Sequence, residues 1–280
     1  MSFEIFIGIS VTLLGLVMGS GVTALAWRVP RGESWVHGRS RCPKCAHVLG
    51  ALDLFPVISW AASMGRCRHC GAPVSPRYPL TELACGLWAL AAWRTLGLSP
   101  ALLPVAFWGF LLVALFWIDL DFQLLPDVLT FPGMAFGLAA ALLGAGAHHL
   151  SLILVIAPRL AGSLPLVMGL ALEALFGMAV GAGTLWLVRA LYFRVRHVEG
   201  MGLGDVKLAA MFGAVLGAPL SIFTIFLAAL AGTVVSIVLM ARGRADSRTA
   251  LPFGTFLAPA AMAAFLWGDA FFRWYLGFLR

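Results

Sequence analysis

An all-α polytopic membrane protein, with about eight transmembrane helices and one long polar loop between the first two, is the fold class that this sequence predicts. Three observations carry the prediction. Mean hydropathy over the 280 residues is +0.97. Hydrophobic residues make up 61% and charged residues only 11%, where a soluble domain carries about 25% charged. Too little polar surface exists to cover a water-soluble globule of this size. The charges are also clustered, which leaves long uncharged runs between them. The same figures exclude a disordered chain, a collagen-like repeat and a secreted disulfide scaffold.

Each helix is delimited by where charge stops and starts. The run Ile5 to Trp27 holds 23 residues without a charge, so a first span is expected over about 4–27. Ala24-Leu25-Ala26 imitates a signal-peptide cleavage site, but Glu4 stands where a basic flank belongs, and the run exceeds the about 7–15 residues of a signal core. The span is therefore expected to be retained. Residues 28–79 form the one long polar segment and hold four of the five cysteines. A second helix, 80–97, is interrupted by Glu82 and Arg94, and a third, 101–118, stops at Asp119. A fourth covers 128–147 and a fifth 166–190. From Leu208 to Ala241 no charge occurs. That length is too great for one span, and Gly217-Ala218-Pro219 splits it into a sixth and a seventh. The eighth covers 253–272. The chain divides accordingly into a first helix (1–27), a loop unit (28–79) and a membrane core (80–280).

Orientation follows from the basic residues. With the N-terminus outside, segments 28–79, 119–127, 191–207 and 241–252 are cytoplasmic and hold most of the nineteen Lys and Arg, while Arg189 lies within a helix and only Arg94, Arg159, Arg273 and Arg280 fall outside. The net charge of +7 then belongs to loops lying against anionic lipid. No basic-aromatic patch argues for a nucleic-acid partner. Gly15-x-x-x-Gly19 and Gly177-x-x-x-Gly181 allow close helix packing.

Three features carry chemistry. Cys42-Pro-Lys-Cys45 and Cys67-Arg-His-Cys70 are two CxxC pairs separated by 21 residues. Such knuckles can present four thiolates tetrahedrally to zinc, in a structural role because no coordination position stays open. Two disulfides are the alternative, disfavoured by a reducing cytoplasm. His47 and His69 lie nearby without being needed as ligands, and Cys85 reads as a small apolar residue. Second, Asp119, Asp121 and Asp127 fall within nine residues at a helix boundary. Asp127 suits a helix start, Asp121 a solvated loop, and Asp119 follows a long apolar run directly. Third, Gly200, Gly202 and Gly204 precede Asp205 and Lys207, without the strand or spacing of a nucleotide loop. The charge-derived topology puts Asp119 and Asp205 on one membrane face. Two carboxylates that meet share a proton, one serving as base and the other as acid, which suffices to activate water against a peptide bond.

Taken together, these motifs resemble the prepilin peptidases, bifunctional leader peptidases and N-methyltransferases of bacterial inner membranes. Gly19-Ser20 leading to Arg28-Val29-Pro30 resembles the family's first-helix signature. The paired CxxC motifs resemble its zinc loop, and Arg77 to Leu83 with Gly86 its second-helix opening. Asp119 to Asp127 resembles its ID-x-D-x-x-x-x-PD pattern, Gly202 to Lys207 its GxGDxK motif, and Pro252 to Phe256 its last signature. Residues 148–175 are longer than is usual there. The resemblance implies an eight-helix aspartic protease of the GxGD kind with Asp119 and Asp205 as its catalytic pair. It implies cleavage of the basic leader of type IV prepilins or type II secretion pseudopilins. It further implies methylation of the new N-terminus with S-adenosylmethionine as methyl donor, a half to which Glu82 and Gly86 would belong, and a place in the bacterial inner membrane with the site facing the cytoplasm. Two other classes remain conceivable from the residues. One is a transporter using the membrane acids Asp119, Glu173 and Asp205. The other is a non-catalytic assembly factor whose zinc loop docks a partner.

Overall fold

A computed structural model describes residues 2–35, 37–145, 165–198, 200–244, 246, 249 and 251–278. Among these every regular element is a helix, with two isolated β-bridges in the polar loop and no strand. The helices are α1 (Ser2–Arg28), α2 (Ile58–Ala62), α3 (Arg77–Leu96), α4 (Leu102–Phe122), α5 (Asp127–Leu142), α6 (Leu166–Arg196), α7 (Leu203–Ala241) and α8 (Gly254–Gly277). Five of them, α1, α4, α6, α7 and α8, are long and apolar enough to cross a membrane. The expected number was about eight. Helix α3 carries Arg77, Glu82 and Arg94, and α5 has only 16 residues, so neither meets that standard.

Helix α7 is two helices joined at a bend. Gly217 has φ 68° and ψ −179°, a conformation essentially reserved for glycine, and Pro219 beyond it cannot donate to the preceding turn. The expected break falls here. A Cβ on Gly181 would lie 2.7 Å from the Ala209 carbonyl and 3.5 Å from Ser221 Cβ. Residues from both halves of α7 thus pack on one point of α6, and the chain folds back on itself.

Both small-residue motifs act as expected. Gly15 faces the Cys85 carbonyl and Gly86 of α3, where an added Cβ would approach within 2.7 Å and 2.9 Å. A Cβ on Gly177 would overlap the Gly213 carbonyl. These contacts bring backbones together where lipid offers no hydrophobic drive, so packing must hold the helices. At the centre Trp88, Trp108 and Phe265 form an aromatic cluster with centroids 5.6–6.2 Å apart. Each indole is satisfied: Trp88 Nε1 donates to the Val105 carbonyl and Trp108 Nε1 to the Met211 carbonyl, both at 3.2 Å.

Several expected boundaries move. Helix α4 does not stop at Asp119 but continues to Phe122, where Gln123 adopts a left-handed φ of 51° and its N–H caps the Asp119 carbonyl. Asp119 therefore sits inside the last turn. Helix α6 runs to Arg196, six residues past the expected end, because Arg194 and Arg196 suit a helix C-terminus. Helix α5 ends at Leu142 rather than near 147. Residues 148–164 of the unusually long segment, with Arg159, lie outside the described residues.

Candidate active site

Asp119 and Asp205 come from opposite kinds of helix end. Asp119 lies in the last turn of α4 and Asp205 in the first turn of α7, after the extended Gly202. Asp119 is 4% exposed and Asp205 9%. Both carboxylates are buried, and Asp119 contributes to the electrostatic surroundings of Asp205. Leu125, in the turn after α4, touches both flanks. A Cβ on Gly204 would lie 2.9 Å from Leu125 Cβ, and one on Gly254 3.1 Å from Leu125 Cδ1.

The start of α8 supplies the partner that spacing alone did not reveal. The Thr255 N–H donates to Asp119 Oδ2 at 2.7 Å and its hydroxyl to the same oxygen at 3.1 Å. Gly254 leaves room for that oxygen, since a Cβ there would stand 2.9 Å from Asp119 Oδ2. The signature Pro252 to Phe256 could be recognised in the sequence, but its contact with a residue 136 positions away could not.

The remaining motif charges brace the site. Lys207 Nζ meets Asp127 Oδ1 at 2.5 Å and lies over the Phe131 ring. This ties α7 to the first turn of α5. Arg77 bonds both oxygens of Asp121, at 2.5 and 2.7 Å, and lies over the Trp117 ring. Asp121 is thus not simply solvated, and Lys207 pairs with Asp127.

The polar loop holds a second constellation. The Sγ atoms of Cys42, Cys45, Cys67 and Cys70 all lie within 4.8 Å of one another, with Cys42 to Cys70 at 3.9 Å. All four thiols are free. Tetrahedral thiolates around zinc stand about 3.8 Å apart, so the cluster fits a metal of that kind and the disulfide alternative has no support. The two knuckles repeat one geometry. Cys42 N–H bonds the His47 carbonyl and Cys67 N–H the Ala72 carbonyl, and the residue after each second cysteine, Ala46 and Gly71, has φ of 55° and 71°. The Cys45 and Lys44 amides bring the Cys42 thiol down to about 6. Cys70 is pushed up to about 11: although the Ala72 amide favours its thiolate, burial and the neighbouring thiols prevail. His47 and His69 stack at 3.5 Å beside the cluster.

Glu82 stands where the loop returns to the membrane helices. It is buried, and its Oε2 accepts the Val57 N–H at 2.7 Å. Ser20 of α1 lies on the same side of Glu82 and favours its charged form. Gly19 lets α1 approach the Glu82 backbone, and Gly86 packs against Leu16. Glu82 and Gly86 are thus neighbours along one face of α3, apart from the aspartate pair.

Fold and site define a multi-pass helical membrane protein that carries a paired-carboxylate site and a four-thiol cluster able to bind metal. Comparison with known proteins narrows this class. Residues 13–96 match the bacterial peptidase A24 N-terminal domain, and residues 105–237 match the type IV leader peptidase family. A protein of Stutzerimonas stutzeri named prepilin leader peptidase/N-methyltransferase is 40% identical, over 86% of this chain and 76% of its own. A protein of the same name from Pseudomonas aeruginosa is 35% identical, over 95% of this chain and 92% of its own. No solved structure gives a significant match. The chain belongs to the type IV leader peptidase family.

Proposed function

We propose that this protein is a prepilin leader peptidase with N-methyltransferase activity, cutting the basic leader from type IV prepilins or type II secretion pseudopilins. Family membership supports the two activities, and Asp119 beside Asp205 is the observation that carries the chemistry. One carboxylate accepts a proton from water as the oxygen attacks the scissile carbonyl. The other, protonated, donates to the departing amide nitrogen, so the peptide bond breaks and the pair ends with its proton exchanged. Thr255 fixes one oxygen of Asp119 so that the other stays available. Neither the transporter nor the assembly-factor reading gains from the family match.

In this reading all eight helical segments span the inner membrane of a bacterium, with α3, α5 and both halves of α7 counted, and the site opens to the cytoplasm. Residues 28–79 are the methyltransferase-associated loop, and residues 80–280 the peptidase core. Cys42, Cys45, Cys67 and Cys70 hold structural zinc. S-adenosylmethionine would supply a methyl group to the freed amine. The buried Glu82 offers a negative charge of the kind that attracts a sulfonium or an ammonium, with Gly86 one turn on holding α1 close beside it. Lipid surrounds the core.

The deciding experiment is mass spectrometry of a co-expressed prepilin. Wild type is expected to remove the leader and add one methyl group. Asp119→Asn and Asp205→Asn are each expected to leave the prepilin uncut while the protein stays folded. Cleavage by both variants would refute the aspartate assignment.

A further inference from the structure

Helices α1 and α3 run antiparallel, so the first turn of α1 and the last turn of α3 share one end of the pair, away from the thiol cluster. A cavity of about 520 Å³ opens there between them. Glu4 and Arg94 stand in its wall with opposite charges, and Ile5, Ile9, Leu13 and Leu90 supply apolar lining. Both charges are exposed, and no ion pair joins them among the described residues. Ile5, Ile9 and Leu13 recur every four residues and are each more than half exposed, an apolar stripe running down α1 from the charged rim.

An exposed cation and anion at a membrane boundary each attract a counter-charge from the lipid headgroups. Here each has one within the same cavity, yet they remain apart. A molecule that carries both signs completes both. Its anionic group fits the planar fork of Arg94, which binds a phosphate in bidentate fashion. Its cationic group meets Glu4. An apolar tail then follows the stripe. Ammonium, phosphate and alkyl chain in that order describe an aminophospholipid. A purely anionic headgroup would satisfy Arg94 but confront Glu4 with a like charge.

We propose that the cavity between α1 and α3 binds a zwitterionic aminophospholipid from the leaflet opposite the metal loop, phosphate on Arg94 and ammonium on Glu4. The site shares no residue with the aspartate pair and stands or falls independently of the proposed catalysis.

Native mass spectrometry of the full-length protein tests it, with phosphatidylethanolamine and phosphatidylglycerol of identical chains offered in equal amount. Wild type is expected to retain the amine lipid about fivefold over the anionic one, the size of one weak exposed ion pair. Glu4→Gln is expected to abolish that preference, and Arg94→Gln to lower retention of both lipids. Ile9→Trp, which fills the cavity without altering charge, is expected to lower retention of the amine lipid. Equal or greater retention of phosphatidylglycerol by wild type would overturn the proposal. So would a Glu4→Gln protein that keeps the preference. The wild-type competition holds even if one variant fails to fold.

Discussion

Asp119 illustrates how much a single oxygen's surroundings decide. Its Oδ2 takes two donors from Thr255 while Gly254 keeps the approach clear. Thr255→Val deletes the hydroxyl bond but keeps the N–H bond. A hydrogen bond to a charged group contributes about 1.5–3 kcal/mol, so a loss of about tenfold or more in cleavage kcat is expected, with KM little changed. Gly254→Ala places a methyl against the carboxylate and is expected to cost more than Thr255→Val. Rates on a synthetic prepilin peptide in detergent check both, and full activity in Gly254→Ala would show that the Asp119 contact is dispensable. The two aspartates were legible in the sequence because a long uncharged run makes any acid at its end conspicuous. Thr255 was not, since a hydroxyl near a helix start reads as an ordinary cap. Lys207 was legible as a motif member yet its partner, Asp127, depends on how α5 and α7 pack.

At the scale of elements, α6 and α7 depend on backbone contact, and the bend of α7 depends on one residue. Gly217 occupies a region that costs other residues about 1–3 kcal/mol. Gly217→Ala is expected to lower the thermal midpoint in detergent by several degrees. Gly183→Ala in α6, where a Cβ would meet nothing within 4 Å, is the control and is expected to leave it unchanged or slightly raised. Equal midpoints for the two variants would show that the bend tolerates a side chain. Sequence disclosed this bend, because Gly and Pro two residues apart interrupt an otherwise uniform apolar stretch. It disclosed helix ends less well. The hydrogen-bond ladder of α4 ignores the first charge it meets and runs on to Phe122, since an acid in a last turn remains compatible with helix when its carboxylate finds donors.

Across the whole molecule, the polar loop grips the helix that carries Asp119 at both of its ends. Arg31, just after α1, lies over the Phe122 ring, and Arg77, opening α3, pairs with Asp121. Glu82 holds the middle of the loop through Val57. A metal tying the two knuckles together would therefore also steady the terminal turn of α4. Chelation is expected to release about one zinc per chain and to expose the loop to protease. Cleavage and methylation should then fall together, and intact activity in a protein shown to be metal-free would sever the loop from catalysis.

The same connectivity requires loop and aspartates to share a side of the membrane, which the proposed orientation, drawn from the basic residues, makes the cytoplasmic one. Leu52 in the loop is 75% exposed, and Leu98 between α3 and α4 is 64% exposed. The native cysteines are to be masked in the assay: the four in the cluster by loading it with zinc beforehand, and Cys85 by its own burial. In cells with a permeabilised outer membrane, an impermeant maleimide is expected to label Leu98→Cys and to spare Leu52→Cys. Inverted inner-membrane vesicles should give the reverse. A scissile bond between a cationic leader and an apolar helix sits at the cytoplasmic boundary, so the opposite labelling pattern would place the aspartates where no such bond reaches them, and the peptidase reading would fall with the topology.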